Sequence, residues 1–221
     1  MKKVVISLGG SLVVPDKINH SYLKKFKKLI TDFSKRNKVV IIVGGGSTAR
    51  NYMNPKFSTK KNSRLGITAT RLNARLVSAV FKKENSIPIR LSEVKKDLKK
   101  SNIVICGALG YKIKCTTDGN AAQVAKLIKA DYLINITNVK GLHDKDPKTN
   151  KTAKFIPKIS FKDFLKITNK IKFKAGQHFV LDQFAARLIA RRKIKTIIIG
   201  PSLPNLKKVL SNKKFIGSTI N

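Results

Sequence analysis

The sequence has little of what marks a secreted, zinc-binding or membrane-spanning protein. It holds two cysteines and three histidines, without a CxxC pair or a His/Cys cluster that has the spacing of zinc ligands. Its longest apolar runs, such as residues 39–43, are far shorter than the roughly 20 residues that cross a bilayer. The first residues lack the pattern of a signal peptide. We therefore expect a cytoplasmic protein that is not bound to a membrane.

Acidic residues are scarce in this chain. There are 11 Asp and Glu against 48 Lys and Arg, which gives a net charge of +37. Such a charge attracts polyanions and phosphorylated substrates, and one interpretation is a nucleic-acid-binding protein. The lysines, however, are spread along the whole chain without a basic tail or interleaved aromatic residues, which favours a compositional bias. We expect nonspecific polyanion binding and a protein that is sensitive to salt.

Short apolar runs alternate with helical patterns, and this alternation predicts an α/β fold. The runs are nearly continuous and rich in β-branched residues, as in parallel strands that are buried on both faces. Two polar stretches, 54–63 and 140–154, are predicted loops. The order of the elements predicts a mostly parallel sheet with helices on both faces. The predicted strands cover residues 4–8, 39–43, 87–91, 103–106, 132–137 and 196–200, and the predicted helices cover 22–33, 69–81, 121–128 and 184–190.

Glycine-rich turns follow two of the predicted strands. The triplet 44–46 comes directly after the strongest strand pattern and before a helix start that carries Arg50. Glycines allow a close backbone approach to a ligand, and N–H groups at a helix start suit an anion, as does a nearby guanidinium. A second turn, Gly9-Gly10-Ser11, follows the first strand in the same way. Since neither turn matches GxGxxG or GxxxxGK[ST], we expect phosphate binding outside the dinucleotide-binding and P-loop classes.

Three further polar motifs allow either a structural or a ligand-binding interpretation. The segment 116–118 (TTD) and the acid Asp182 each precede a predicted helix, where they suit an N-cap as well as a phosphate or sugar contact. Residues 137–138 (TN) end a strand and also suit an ordinary turn. The histidines are scattered, so the sequence does not predict a nucleophilic triad.

Seven motifs, taken in their order along the chain, point to one family. They are ISLGGSL (6–12), IVGGGSTARNY (42–52), LGI (65–67) with TRLNA (70–74), TTD (116–118), ITNV (136–139) with Gly141 and Asp146-Pro147, KAG (174–176), and Asp182 with Ala185-Ala186. Together they resemble the amino-acid-kinase superfamily and, within it, the uridylate (UMP) kinases of the archaeal type. The resemblance runs over nearly the whole chain.

The resemblance implies both a fold and an activity. The fold is a three-layer αβα sandwich around a mostly parallel central sheet. The chain 1–221 would be a single amino-acid-kinase domain, with an acceptor-binding lobe over about 1–125 and an ATP-binding lobe over about 126–221. The activity is transfer of the ATP γ-phosphoryl group to UMP, giving UDP and ADP, in pyrimidine nucleotide biosynthesis. Mg²⁺ is the implied cofactor, and a homohexamer is the implied assembly.

The resemblance also assigns roles to individual residues. Arg50 and Asp182 would serve catalysis, and no residue is assigned as a metal ligand. The ATP-binding residues would be Gly10, Ser11, Gly46, Arg50, Thr137, Asn138, His143 and Asp146. The UMP-binding residues would be Gly45, Ser63, Leu109, Gly110, Tyr111, Lys112, Ile113, Lys114, Cys115, Thr116 and Thr117.

The sequence departs from the family pattern at several positions. Ser63 stands where the family has the acid that holds the UMP ribose, and a serine contributes no charge to that hydrogen bond. Ser7 stands where bacterial relatives have a lysine, and segment 107–115 is about two residues long for the family. Two other functions therefore stay open. One is a kinase for another small phosphate or carboxylate, and the other is a non-catalytic nucleotide or oxyanion binder.

Overall fold

Residues 1–83, 87–111, 116–147, 149–170 and 181–221 are described by this structure, a computed structural model. They form a seven-stranded sheet flanked by helices. The strands are β1 (Lys3–Leu8), β2 (Lys38–Val43), β3 (Ile103–Cys106), β4 (Tyr132–Ile136), β5 (Lys158–Ile159), β6 (Thr196–Ile199) and β7 (Ser218–Ile220). The helices are α1 (Gly10–Val13), α2 (His20–Ser34), α3 (Gly46–Tyr52), α4 (Thr59–Val80), α5 (Leu91–Lys100), α6 (Thr117–Ile128), α7 (Phe161–Lys170), α8 (Gln183–Arg192) and α9 (Leu203–Leu210).

The sheet is parallel at its centre. Its strand order is β3-β2-β1-β4-β6-β7-β5. Val5 of β1 lies opposite Val40 of β2 on one side and Leu133 of β4 on the other. Only the short strand β7, among the described residues, runs antiparallel to its neighbour β6. The central strands are mostly apolar because helices cover both of their faces.

Two hydrophobic clusters, one on each face of the sheet, make up the core. The first cluster includes residues of α5, α6, α7 and α8, such as Val94 and Phe164. The second includes residues of α2, α4 and α9, such as Phe26 and Val77. The molecule is thus a three-layer αβα sandwich, which confirms the predicted fold class. None of the described helices is both long and apolar enough to span a membrane.

Five of the six predicted strands are confirmed within one residue, and the strand predicted over 87–91 is wrong. That segment leads instead into helix α5, which begins at Leu91. The Glu93 carboxylate accepts hydrogen bonds from the backbone N–H groups of Ile89 (2.8 Å) and Arg90 (3.1 Å). These bonds cap the helix start, and Pro88 has no N–H group to give to a sheet.

The loop predicted over 54–63 is wrong in its second half. Helix α4 begins at Thr59, after the N-cap residue Ser58, whose side chain accepts a hydrogen bond from the Lys61 N–H. Ser63 therefore lies in the second turn of α4, where the helix fixes its position. The lysine-rich composition of this stretch hid the helix start, because lysines on a solvent-facing turn give no apolar periodicity.

Candidate functional site

A cavity of about 960 Å³ opens at the carboxyl ends of the central strands. This is where open α/β sheets bind ligands, because the loops after parallel strands converge there. The cavity extends from the turns after β1 and β2 to the N-terminal ends of α6 and α8. One side of it is formed by the first three turns of α4, through Thr59, Asn62, Ser63, Gly66, Ile67 and Thr70.

The two glycine turns meet at the floor of this cavity. A Cβ atom placed on Gly10 would lie 2.3 Å from the Gly46 nitrogen and 2.4 Å from the Gly44 oxygen. Gly46 also has a φ of +57°, a conformation that side-chain-bearing residues rarely adopt. Only glycine therefore permits the two turns to touch. The close approach brings both turns, with their backbone N–H groups, into the lining of one cavity, and successive backbone N–H groups of this kind can bind an anion.

Arg50 brings a positive charge to the mouth of the cavity. Its guanidinium lies 3.5 Å from the Ser11 hydroxyl, so it connects α3 with the first glycine turn. The side chain is exposed, and none of the described carboxylates forms an ion pair with it. A guanidinium in this state is available to a phosphate oxygen of a ligand.

Thr116 and Asp182 are the N-cap residues of the two helices, α6 and α8, that begin at the cavity. The Asp182 carboxylate caps α8 by accepting hydrogen bonds from the N–H groups of Phe184 (2.8 Å) and Ala185 (3.0 Å). Thr116 caps α6 by accepting from the Gly119 N–H (3.0 Å), and its hydroxyl donates to the second oxygen of Asp182. This bond between the caps fixes the two helix ends relative to each other.

Asp118, the second residue of α6, lies beside this pair. Its Oδ1 accepts hydrogen bonds from the Ser7 hydroxyl (3.1 Å) and the Asn135 amide (2.8 Å). Burial, and then the negative charge of Asp182, raise the pKa of Asp118 to about 7, although the two hydrogen bonds oppose the shift. The protonated form of this carboxyl therefore persists to higher pH than usual, and a cation in the cavity would favour its charged form.

The cavity brings together most of the site residues expected from the sequence. Those that line it are Gly10, Ser11, Gly45, Gly46, Arg50, Ser63, Thr116, Thr117, Thr137, Asn138 and Asp182. Five others lie outside its lining, namely Leu109, Gly110, Tyr111, His143 and Asp146. Four more, Lys112, Ile113, Lys114 and Cys115, lie outside the described residues. The ligand roles of all these residues stay predictions.

Two of the residues outside the cavity lining, His143 and Tyr111, already contact other protein groups. The buried His143 ring contacts the Gly141 carbonyl through Nδ1 (3.0 Å) and packs against Phe155, with 5.6 Å between ring centroids. The Tyr111 ring lies under the guanidinium of Arg64, 5.5 Å from ring centroid to Cζ. These contacts account for both aromatic rings without a ligand.

Several polar residues that line the cavity were assigned no role of their own from the sequence. Three of them, Ser7, Asn135 and Asp118 of the TTD motif, form one hydrogen-bonded group. A signal for two of them exists in the sequence, since Ser7 and Asn135 interrupt strands that are otherwise continuously apolar. A polar residue in a strand buried on both faces needs a partner, and here the partner is Asp118.

Comparison with known proteins decides the family. The model of the amino acid kinase family matches residues 2–200, which is most of the chain. The chain belongs to the amino acid kinase family.

Individual relatives within the family are similar over their whole length. The uridylate kinase of Archaeoglobus fulgidus is 34% identical over 99% of both chains. The uridylate kinase of Methanococcus aeolicus is 35% identical over 95% of this chain and 96% of its own. The crystal structure of the Archaeoglobus fulgidus uridylate kinase superposes with a TM-score of 0.85, at 33% identity and full coverage of both chains.

Proposed function

We propose that this chain is a uridylate kinase, which transfers the γ-phosphoryl group of ATP to UMP and gives UDP and ADP. The observation that carries the proposal is the contact between the two glycine turns within one cavity, beside Arg50 and two carboxylates. The uridylate kinases that resemble the chain over its full length support the choice of acceptor.

The cavity lining includes the residues expected for each substrate. Gly10, Ser11 and Gly46 line it together with Thr137 and Asn138, and these residues would hold ATP. Gly45 lines it together with Ser63, Thr116 and Thr117, and these residues would hold UMP. Because Gly45 and Gly46 are adjacent, the two bound phosphates would meet at the triplet. Such proximity is a large part of what phosphoryl transfer requires of a protein.

The chain's own residues would assist by positioning and by neutralising charge. UMP attacks through a phosphate oxygen that is already anionic, so the reaction needs no general base. Arg50 would offset negative charge on the transferred group, and the glycine N–H groups would hold its oxygens. Asp182 and Thr116 would keep the ends of α6 and α8 in place around the reacting phosphates.

The acidic residues of the cavity fit a magnesium ion that enters with ATP. Ser7 and Asn135 both donate to Oδ1 of Asp118, which leaves Oδ2 without a hydrogen bond from the described residues. Within the described residues no group of three or more His, Cys, Asp or Glu could hold a metal ion. Mg²⁺ keeps waters and phosphate oxygens and takes few protein ligands, so Oδ2 of Asp118 would be one contact for an ion that arrives bound to ATP. Bound with ATP, Mg²⁺ would neutralise charge on the phosphates.

Assembly and cellular role follow as part of the same proposal. The family resemblance supports a homohexamer in the cytoplasm that acts in pyrimidine nucleotide biosynthesis. Light scattering on the eluting peak of a size-exclusion column measures the number of chains directly. A peak with the mass of one chain at micromolar concentration would overturn the hexamer, whatever the activity.

A steady-state assay tests the function. The purified chain is incubated with ATP, Mg²⁺ and UMP, CMP or dUMP, and the diphosphate product is separated by anion exchange. We expect UDP to form fastest, with no product when Mg²⁺ is removed by a chelator. ATP binding is measured in parallel by calorimetry. Binding of ATP without turnover of any of these monophosphates would replace the kinase by a non-catalytic nucleotide binder.

A further inference from the structure

Helix α4 carries a buried amide, Asn73, that contacts the glycine triplet. The side chain is 2% exposed. Its Nδ2 group donates to the backbone oxygens of Gly44 and Gly45, both at 2.9 Å. Its Oδ1 accepts a hydrogen bond from the Thr48 hydroxyl at 3.1 Å, which sets the orientation of the amide. Asn73 is not among the described residues that line the cavity, so it acts on the site only through the turn.

The direction of the Gly44 and Gly45 carbonyls fixes the direction of the N–H groups of Gly45 and Gly46. The Gly44 carbonyl shares a peptide unit with the Gly45 N–H, and the Gly45 carbonyl shares one with the Gly46 N–H. The described residues contain no cis peptide bonds, so in each unit C=O and N–H point to opposite sides. When Asn73 holds both carbonyls toward α4, both N–H groups are turned away from α4. Neither N–H donates to another described residue.

We propose that Asn73 is a positioning residue of the phosphoryl-transfer site, which aims the N–H groups of Gly45 and Gly46 at the bound phosphates. This inference rests on the proposed function, since it assigns those two donors to the acceptor and donor phosphates. Two consecutive glycines have unusual backbone freedom. The Asn73 amide restricts both of their carbonyls before the substrates arrive, and the Ala49 N–H of α3 also donates to the Gly45 oxygen (3.1 Å). Preorganised donors are worth most in a site that is closed to water.

A purely structural role for Asn73 predicts a different result. On that view, the amide only satisfies two buried carbonyls, and its loss lowers stability without altering the properties of the folded enzyme. The positioning role predicts losses in ATP affinity and in kcat that are measured on fully folded protein. The two roles are therefore separated by kinetics at a temperature well below the unfolding transition, with folding checked by circular dichroism.

The experiment compares Asn73→Ala with a matched control on the same helix. Ser78 is also buried on α4, and its hydroxyl donates to the Lys83 carbonyl (3.1 Å), away from the cavity. For Asn73→Ala we expect kcat to fall and the ATP dissociation constant to rise, each by about tenfold or more. For Ser78→Ala we expect both to keep their wild-type values, whatever the change in melting temperature.

A second variant keeps the test valid if Asn73→Ala does not fold. Thr48→Val removes the hydroxyl that orients the amide and keeps the shape of the side chain, so we expect a smaller loss in the same direction. The double variant with Asn73→Ala and Thr48→Val should lose little more kcat and ATP affinity than Asn73→Ala alone, because both changes act on one contact. ATP affinity is read by calorimetry and needs no turnover, so an inactive wild type would count against the kinase and not against Asn73. The inference would be overturned if folded Asn73→Ala kept the wild-type kcat and ATP affinity. If Asn73→Ala does not fold, wild-type values in Thr48→Val would overturn it instead.

Discussion

Thr116 and Asp182, the N-cap residues of α6 and α8, are hydrogen-bonded to each other although 66 positions separate them in the chain. The bond brings Asp118, which follows Thr116 by two residues, into the field of the Asp182 carboxylate. A chain with only 11 acidic residues thus gathers two of them in one cavity. Two nearby carboxylates repel each other unless a proton or a cation lies between them. The arrangement suits a site that receives metal-bound phosphates.

The first prediction concerns the pH dependence of stability. The pKa of Asp118 is raised from 3.8 to about 7 in the folded chain. The folded state therefore keeps a proton that the unfolded state loses, and Asp118 weakens the fold as the pH rises from about 4 to about 7. Asp118→Asn cannot lose a proton. We expect its melting temperature, relative to wild type, to increase over this range and to level off above about pH 7.

Calorimetric unfolding of the ligand-free protein measures this difference. Asp16→Asn, which removes an exposed carboxylate outside the cavity, serves as control and should show no such trend. A constant difference between Asp118→Asn and wild type from about pH 4 to pH 8 would show that Asp118 is not perturbed in the fold.

The second prediction concerns the charge of Arg50. Arg50→Ala removes the guanidinium of α3 at the mouth of the cavity, and Arg75→Ala removes an exposed guanidinium of α4 outside the cavity lining. Both variants have the same net charge, so the general attraction of the protein for ATP is lowered equally. We expect kcat/KM to fall by about 100-fold or more in Arg50→Ala and by less than about twofold in Arg75→Ala. Equal losses in the two variants would mean that Arg50 contributes only to the overall charge.

The third prediction compares two glycines of the same cavity. A Cβ atom on Gly10 would collide with backbone of the triplet at 2.3 Å, whereas on Gly66 it would meet only the Met53 sulfur at 3.6 Å. We expect Gly10→Ala to separate the two turns and to abolish activity. Gly66 lies within helix α4, where alanine is preferred by about 0.5–1 kcal/mol, so Gly66→Ala should unfold at higher urea concentration than wild type. An active Gly10→Ala would show that the contact between the turns is dispensable.

The sequence was sufficient for the centre of the fold because nearly continuous apolar runs identify strands that are buried on both faces. It was insufficient for β5 and β7, which have two and three residues and carry no periodicity. The segment 87–91 looked like a strand because it is short, mostly apolar and contains two β-branched residues, and only the cap formed by Glu93 reveals a helix start.

The site likewise has features that the local sequence determines and features that depend on tertiary packing. The glycine turns are recognisable because a local sequence determines them. The pairing of Thr116 with Asp182 depends on how α6 packs against α8, which no local pattern encodes. Asn73 is equally hidden, since an asparagine in a helix gives no sign that it serves a turn 28 residues earlier.

The fourth prediction concerns the acceptor pocket. Ser63 lines the cavity on α4 among neutral side chains, with Asn62 and Ile67 close in sequence. A carboxylate at this position would form a charge-assisted hydrogen bond with a ribose hydroxyl of UMP. We expect Ser63→Asp to lower the KM for UMP by about tenfold, and the uncharged variant Ser63→Asn to change it much less. With dUMP in place of UMP, a smaller gain would assign the contact to the 2′-hydroxyl. An unchanged KM for UMP would place the ribose elsewhere.

The last prediction concerns the net charge of +37. The described residues contain only two ion pairs, Lys35–Asp32 and Lys166–Asp163, and both are exposed. Because most cations thus repel each other, we expect the melting temperature to rise between about 50 and about 500 mM NaCl as salt screens them. Replacing Lys24 and Lys28 of α2 by glutamate should reduce this dependence of the melting temperature on salt.

The same charge has a second measurable consequence. If the charge is compositional, nonspecific DNA binding disappears at physiological salt. Tight DNA binding under those conditions would assign the charge a function of its own.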